Sequence, residues 1–383
     1  MAAVAATESS PNTLEARPAL GCGILLAALA LPTLQTARAD TPPDRAQISY
    51  KYLDYLDFQP GWDRIGVQAN AISALLPIAG KWSVEGTITV DSISGASPYY
   101  HSQRLRSAAL KDQRIGTDFA ISRYFDRGSF TFGVSNSSES DYESNAYSAT
   151  GSMSTESKNT TLTLGVGETD DEVNVPRVGV NRRPKVICQG LVGLTQVLGP
   201  RDIAQLTLTY SSGDGEFSDP YKFNDNRPNT KNQTTLLARW NHYFLATKGT
   251  ARMSYRYYSD TFDIHAHTAA VEYVQPLPGR WTLTPFVRLY AQNAASFYVE
   301  ALNDPSPERL PLDVIQSQDQ RLSSFGGASL GMKVSKLVTP DVLVDFRYER
   351  YEQHTDWYPF GDGSVNLEPF KANIFQVGMT WYF

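Results

Sequence analysis

The sequence predicts an all-β protein, a transmembrane antiparallel up-and-down β-barrel of about sixteen strands. Three observations support this fold class. Apolar and polar residues alternate along segments of about ten residues, short and long connections between the segments alternate, and the last nine residues, FQVGMTWYF, form one such segment. The composition agrees, because aromatic residues make up 11% of the chain and are led by 21 Tyr, a residue that favours strands.

The N-terminal part of the chain reads as an export signal. The apolar run LGCGILLAALALPTL covers residues 20–34 and is followed by the tripeptide ARA at residues 37–39, an order that is typical of a cleaved secretory signal. We therefore predict a signal peptide over residues 1–39 and the barrel over residues 40–383, with a short membrane anchor or a buried helix as the alternative. The exported chain would keep only Cys188, which excludes an intrachain disulfide.

Charge and short motifs exclude several classes of protein. The formal net charge is -6, with 19% charged residues and no run of Lys or Arg, so the chain lacks the basic surface that a nucleic-acid binder needs to neutralise phosphates. P-loop, GxGxxG, zinc-finger and haem-attachment patterns are missing from the sequence. We expect no cofactor, no nucleic-acid partner and no enzymatic activity.

The strands follow one another along the whole exported chain. In KWSVEGTITV, Trp82, Ile88 and Val90 share one face of an extended segment, and Glu85 and Thr87 share the other. The segments IAQLTLTY and DVLVDFRYE alternate in the same way. The predicted strands, with fourteen as the alternative number, are 46–57, 63–76, 81–92, 114–125, 129–138, 143–153, 159–168, 186–198, 203–213, 233–245, 250–259, 265–275, 281–292, 322–336, 341–353 and 370–383.

The connections have two lengths, which is the second observation. Tight turns such as PIAG, GPRD and PLPGR alternate with long segments rich in Asp, Asn, Ser and Gly. Outer-membrane barrels have tight periplasmic turns and longer external loops, whereas a soluble β-sandwich has no reason to keep that asymmetry. The predicted external loops are 92–113, 169–185, 214–232, 293–321 and 354–369.

The last strand carries the third observation. It resembles the carboxy-terminal signature by which the outer-membrane assembly machinery recognises its clients, in an alternating set made of Phe375, Val377, Met379, Trp381 and Phe383. We expect these side chains to face lipid and the strand to pair with the first strand near residues 48–56. The expected partners are the barrel-assembly machinery, periplasmic chaperones, outer-membrane lipid and lipopolysaccharide, and the oligomeric state is left open.

Several longer motifs are closer matches. VDSISGASP, ESDYES, LVGLTQVLG, SDPYK, ARWNHYF and AQNAASFY resemble a family of uncharacterised Gram-negative outer-membrane β-barrel proteins that is catalogued as a domain of unknown function. The resemblance extends over essentially the whole exported chain and implies location in the cell outer membrane. It implies no activity.

Charged residues on the predicted inner face suggest the first function class, a porin-like channel or uptake barrel for small solutes or ions. Opposed basic and acidic side chains in a lumen set ion preference, while a salt-bridged plug is the structural alternative. The predicted lumen-lining residues are Arg239, Arg252, Arg256, Arg288, Asp345, Arg347 and Glu349, accompanied by Glu85, Asp118, Glu272 and Lys333.

Histidines suggest two further classes. His265 and His267 lie two residues apart on a strand, and with Asp260 and Asp263 they could bind a metal ion, as in a metal- or ligand-binding surface barrel that serves an exported redox or metal-handling system. The dipeptide Asn241-His242 faintly resembles a phospholipase motif, although no Ser follows soon after it. A barrel hydrolase is therefore the third hypothesis.

Overall fold

The computed structural model describes residues 41–59, 62–95, 110–176, 179–220, 222, 225–300, 314–365 and 367–383. The predicted signal peptide lies outside the described residues. Within these ranges, no helix is long and apolar enough to cross a membrane.

Sixteen antiparallel strands close into one barrel, and a separate pair of two-residue strands, β10 and β15, lies between two connecting segments. The sixteen predicted strands are confirmed, since each corresponds to one barrel strand. The bounds are β1 (Gln47–Gln59), β2 (Trp62–Ile78), β3 (Trp82–Gly95), β4 (Leu110–Phe125), β5 (Gly128–Ser138), β6 (Tyr142–Ser154), β7 (Thr160–Val175), β8 (Val180–Gly199), β9 (Asp202–Gly215), β10 (Asp225–Asn226), β11 (Thr230–Phe244), β12 (Gly249–Asp260), β13 (His265–Leu277), β14 (Trp281–Gln292), β15 (Gln316–Ser317), β16 (Phe325–Thr339), β17 (Val342–His354) and β18 (Phe370–Tyr382).

The barrel closes where β18 pairs with β1. Ile48 lies opposite Trp381 in this pair, and Leu56 lies opposite Asn373, which is the pairing that the sequence predicts. The five alternating residues of the last strand are 43–50% exposed, whereas Gln376 between them is 4% exposed. The predicted facing of this strand is therefore confirmed, and its role in assembly stays a prediction.

The outer surface of the barrel is apolar over most of its height. Large exposed apolar side chains occur on all sixteen barrel strands. Soluble proteins rarely expose an apolar surface of this extent, whereas the lipid-facing band of a membrane barrel is apolar all round. Four tryptophans lie on this surface near the end of the barrel at which the tight turns join the strands. An aromatic girdle at the periplasmic interface would lie at this level. The four residues are Trp82, Trp240, Trp281 and Trp381.

The segment 169–185 differs from its prediction as a long loop. β7 continues to Val175 and β8 begins at Val180, so that only four residues separate the two strands. The charges that suggested a loop are cross-strand partners: Lys185 Nζ lies 3.1 Å from Asp171 Oδ2. Apolar and polar residues alternate only where the outer face of a strand contacts lipid. A strand that continues beyond the membrane has polar residues on its outer face as well, so the alternation does not reveal it.

Two inward-facing rings pack over glycines of β16. The Phe286 ring lies over Gly331, and the Tyr351 ring lies over Gly327. A side chain at either glycine would collide with the ring above it. These contacts fix the inner surface beside the charged residues described below.

Replacing Gly331 with Ala should destabilise the barrel by about 1–3 kcal/mol, because overpacking of a filled site costs that much. A Cβ atom there would collide with the Phe286 ring and lie 2.5 Å from the Tyr348 carbonyl oxygen. Urea unfolding of the protein in lipid vesicles measures the loss. Gly190→Ala is the matched control, since its Cβ would meet no atom within 4 Å. An equal loss in both variants would contradict the packing argument.

Candidate functional site

A group of charged side chains faces the lumen on the wall formed by β14, β16, β17, β18 and β1. We call it the luminal charge cluster. Its six members alternate with lipid-facing residues on their strands, and the cross-strand pairing places them side by side. They are Lys51, Arg288, Lys333, Asp345, Arg347 and Glu349.

Glu349 is the acid on which two arginines of the cluster converge. It is 2% exposed, and its Oε1 accepts a 2.7 Å hydrogen bond from Arg288 Nη2, while its Oε2 accepts one of 3.0 Å from Arg347 Nη2. The Arg347 guanidinium also lies 4.1 Å from the centroid of the Phe286 ring. One carboxylate thus neutralises only one of two guanidinium charges, that of the buried Arg288 or that of the partly buried Arg347.

Asp345 is the second acid of the cluster. Its Oδ1 lies 3.4 Å from Lys333 Nζ, and its carboxylate lies over Gly378, where a Cβ atom would come within 2.5 Å of Oδ2. Lys51 stands on the other side of Gly378 in the adjoining strand pair. Because residue 378 is a glycine and has no side chain, Asp345 and Lys51 can occupy the same part of the lumen.

The remaining predicted lumen residues also face inward. Arg239 Nη1 donates a 3.2 Å hydrogen bond to Gln205 Oε1, and Arg252 Nη1 lies 4.0 Å from Glu272 Oε2. Arg256 Nε is buried and has no hydrogen-bond partner. The structure thus brings Arg288, Asp345, Arg347 and Glu349 into one cluster and distributes Arg239, Arg252 and Arg256 over the two adjacent strands β11 and β12.

A wall of small hydroxyl-bearing residues faces the same lumen from β5 to β9. Asp171 and Lys185 on this wall neutralise each other near its outer end. The lumen therefore has one wall with long charged side chains and one with short neutral polar groups. The hydroxyl residues of this wall, which we call the hydroxyl wall, include Thr131, Ser135, Ser137, Ser144, Ser148, Thr161, Thr163, Thr169, Thr207, Thr209 and Ser211.

Two external connections pack together at the outer end of the barrel. We call their described parts, 216–220, 222, 225–229, 293–300 and 314–324, the loop cap. β10 and β15 pair within the cap, and its apolar side packs on the turn between β12 and β13 through Phe262 and Ile264. The cap is therefore a folded structure that is fixed to the strand ends.

Asp319 lies at the centre of the loop cap and is fully buried. Its carboxylate accepts hydrogen bonds from Lys222 Nζ at 3.0 Å, Arg227 Nη2 at 2.6 Å and Arg321 Nε at 2.6 Å. Burial opposes the charge on Asp319, but the cations Arg321, Lys222 and Arg227 outweigh it and hold the pKa of this carboxyl well below its usual range. One side chain thus joins both halves of the cap.

A second acid completes the network in the cap. Asp219 Oδ2 accepts a 2.6 Å hydrogen bond from Arg321 Nη2, and Arg227 Nε also lies 3.0 Å from Asp225 Oδ1. Burial raises the pKa of the Asp219 carboxyl, although Arg321 acts in the opposite direction. Of these two acids, Asp319 is the one whose negative charge the surrounding cations stabilise more strongly.

The four predicted metal ligands lie on different faces of the wall. Asp260 faces the lumen, where Lys231 Nζ lies 3.1 Å from its Oδ2. His265 and His267 face outward, and their Nδ1 atoms lie 3.0 Å from Tyr257 Oη and 2.7 Å from Tyr255 Oη. Asp263 is exposed in the turn between them. The structure therefore does not bring these four side chains into one coordination sphere.

Two other arrangements of polar side chains lie outside the luminal charge cluster and the loop cap, one around the sequence-derived candidate His242 and one that the sequence analysis did not select. His242 Nδ1 lies 2.7 Å from Asp202 Oδ1 on the outward face, and Trp240 Nε1 donates to the same oxygen at 2.9 Å. At the outer rim, carboxylate oxygens of Asp112, Glu139 and Asp141 lie within 4.8 Å of one another. Acidic groups at a rim are common without a bound ion, so neither arrangement assigns a function.

Comparison with known proteins agrees with this architecture. A bacterial polysaccharide outer membrane secretin of known structure is similar with a TM-score of 0.50 and 8% identity, over 88% of this chain and 98% of that one. CdiB from Acinetobacter baumannii gives 0.48 and 10% over 87% of this chain, which spans 60% of the length of CdiB. OpdQ from Pseudomonas aeruginosa gives 0.44 and 11%, over 89% of this chain and 100% of OpdQ.

The sequence comparison identifies the family. No curated protein sequence matches the chain. The model of a family described as "Protein of unknown function (DUF3570)" matches residues 101–182 and 179–378. These ranges cover most of the chain, and this outer-membrane β-barrel therefore belongs to the family DUF3570.

Proposed function

We propose that the protein is a passive channel for small solutes or ions in the outer membrane, with an outer mouth that is narrowed by the loop cap. The observation that carries this proposal is the charged inner face of a closed barrel of sixteen strands. A lumen of that size is too wide for side chains alone to fill, and the charges of the luminal charge cluster require water or counter-ions nearby.

The two walls of the lumen support a channel rather than a solid core. Long cationic side chains on β14 to β1 face short hydroxyl groups on β5 to β9. Hydroxyl groups donate and accept hydrogen bonds, so they exchange partners with passing water at little cost. A core that only stabilised the barrel would be expected to supply one acid for each cation, whereas the luminal charge cluster has four basic and two acidic side chains, and Glu349 is shared by two arginines.

Planar-bilayer recording tests the proposal. Protein that has been folded into detergent, and whose migration on a gel changes after boiling, is added to a bilayer between potassium chloride solutions. We expect stepwise increases in current as single barrels insert. A folded protein that inserts into vesicles and gives no current steps, both as the native chain and with the loop cap loosened by Asp319→Asn, would refute a channel.

A further inference from the structure

We propose that the luminal charge cluster is a binding site for small anions that carry a carboxylate or phosphate group, with Lys51 as its central cation. This inference deepens the proposed channel function by naming the class of solute. It rests on the proposed function as far as transport is concerned, whereas binding of the anion can be measured without transport.

Lys51 is the first observation. Its side chain faces the lumen and is 8% exposed, and among the described residues no group makes a hydrogen bond or an ion pair with its ammonium. The charged groups that act on it are Lys333, Asp345 and Arg347. An ammonium on a largely buried side chain, without a hydrogen-bonded or ion-paired partner among the described residues, is less well solvated than in water, and an anion that binds beside it offsets this loss.

The pairing of β16 with β17 is the second observation. Lys333 and Arg347 lie directly opposite each other in this pair, and like charges in that position repel and destabilise a sheet. Lys51 approaches the same place from β1, across Gly378. Three cations from three strands thus converge around Asp345, and Arg347 also bonds Glu349.

The balance of charge in the cluster is the third observation. Four basic and two acidic side chains leave an excess of two positive charges. Both acids are already engaged, because Glu349 accepts from Arg288 and Arg347, and Asp345 lies next to Lys333. A bound carboxylate or phosphate would supply the missing negative charge and would form charge-assisted hydrogen bonds with amino and guanidinium groups.

The chemistry of these cations also indicates the kind of anion. Arg347 offers a planar guanidinium that suits a carboxylate or phosphate with two oxygens, and Lys51 and Lys333 offer single ammonium groups. The hydroxyl wall on β5 to β9 is uncharged at this depth, so it can bind hydroxyl groups on the rest of a solute. The lumen therefore fits a small polar anion better than a large apolar one.

Binding of inorganic phosphate provides the first test. Isothermal titration of the native protein in detergent micelles should detect phosphate binding, and Lys51→Met should weaken it by at least about tenfold, as expected when a charge-assisted contact is lost. Lys51→Arg should retain binding because it keeps the positive charge. Lys81→Met is the matched control, since Lys81 is exposed in the turn before β3 and its loss should leave phosphate binding unchanged.

Ion selectivity provides the second test and separates the two proposals. In a potassium chloride gradient, the native channel should prefer chloride, and Lys51→Met should lower the ratio of chloride to potassium permeability several-fold. Phosphate binding that depends on Lys51 in a protein without current steps would leave the anion site standing and refute the channel. Native protein that binds no phosphate, or Lys51→Met and Lys81→Met variants that bind it equally, would overturn the anion site.

Discussion

Replacing Asp319 with Asn should release the loop cap from the barrel. The variant leaves three buried cations, Lys222, Arg227 and Arg321, without the carboxylate that they share. Breaking a buried ion pair by removing one partner costs about 3–5 kcal/mol. Because the sixteen barrel strands do not contain Asp319, the cost should fall on the cap and not on the barrel.

Limited trypsin digestion measures this change, because Lys222 and Arg321 are themselves cleavage sites, whereas the bond after Arg227 is resistant because Pro228 follows it. In the native protein we expect slow cleavage after Lys222 and Arg321, and in Asp319→Asn rapid cleavage at both positions, measured by mass spectrometry of the fragments. Asp362→Asn makes the same change at an exposed residue of another external loop and should leave cleavage unchanged. Slow cleavage of Asp319→Asn would show that Asp319 does not hold the cap.

Replacing Glu349 with Gln should have the second large effect, this time on the barrel itself. Arg288 and Arg347 would remain buried beside an uncharged amide, and the excess of positive charge in the luminal charge cluster would rise by one. We expect the free energy of unfolding in lipid vesicles to fall by about 3–5 kcal/mol. Added phosphate should restore part of this loss if it binds the same cations.

Glu352→Gln is the control for this prediction, because it makes the same change three residues later on the same strand. The Glu352 side chain is on the outer face, is partly exposed and lies near Arg350 and Lys371. Pairs of that kind contribute less than about 1 kcal/mol. Equal losses in Glu349→Gln and Glu352→Gln would mean that burial does not distinguish the two acids.

The strands of this barrel could be predicted from the sequence because their physical cause is local. Lipid on one side and polar groups on the other impose a period of two residues, and a tight turn ends each hairpin. The prediction failed over 169–185, where β7 and β8 continue beyond the membrane. There both faces carry polar residues, and cross-strand pairs such as Asp171 with Lys185 replace lipid as the source of stability.

The candidate site could be predicted only in part. The facing of Arg288, Arg347 and Glu349 follows from the period, but the sequence reading did not select Lys51, although its separation by two residues from Ser49 and Leu53 on β1 could have placed it in the lumen. The loop cap was missed because Asp219 and Arg321 lie 102 residues apart in the chain, and local pattern carries no information about such a pair.

The metal hypothesis shows a different limit. Asp260, His265 and His267 are close in sequence, but the turn that joins β12 to β13 leaves Asp260 on the inner face and both histidines on the outer face. Proximity along a hairpin does not decide the side of a sheet, because one residue of register exchanges the two faces. The expected partners, which are the assembly machinery, chaperones, lipid and lipopolysaccharide, stay predictions.

The pairing of β1 with β18 leaves the sheet without free edge strands, and this protects the protein from self-association. Long strands with free edges are templates for aggregation, and a closed barrel has none. The pairing of β1 with β18 joins the two ends of the sheet, and it begins where Ala46 and Phe383 exchange backbone hydrogen bonds of 3.0 and 2.9 Å. Any change that opens this junction would expose two edges at once and turn a membrane barrel into a sheet able to recruit copies of itself.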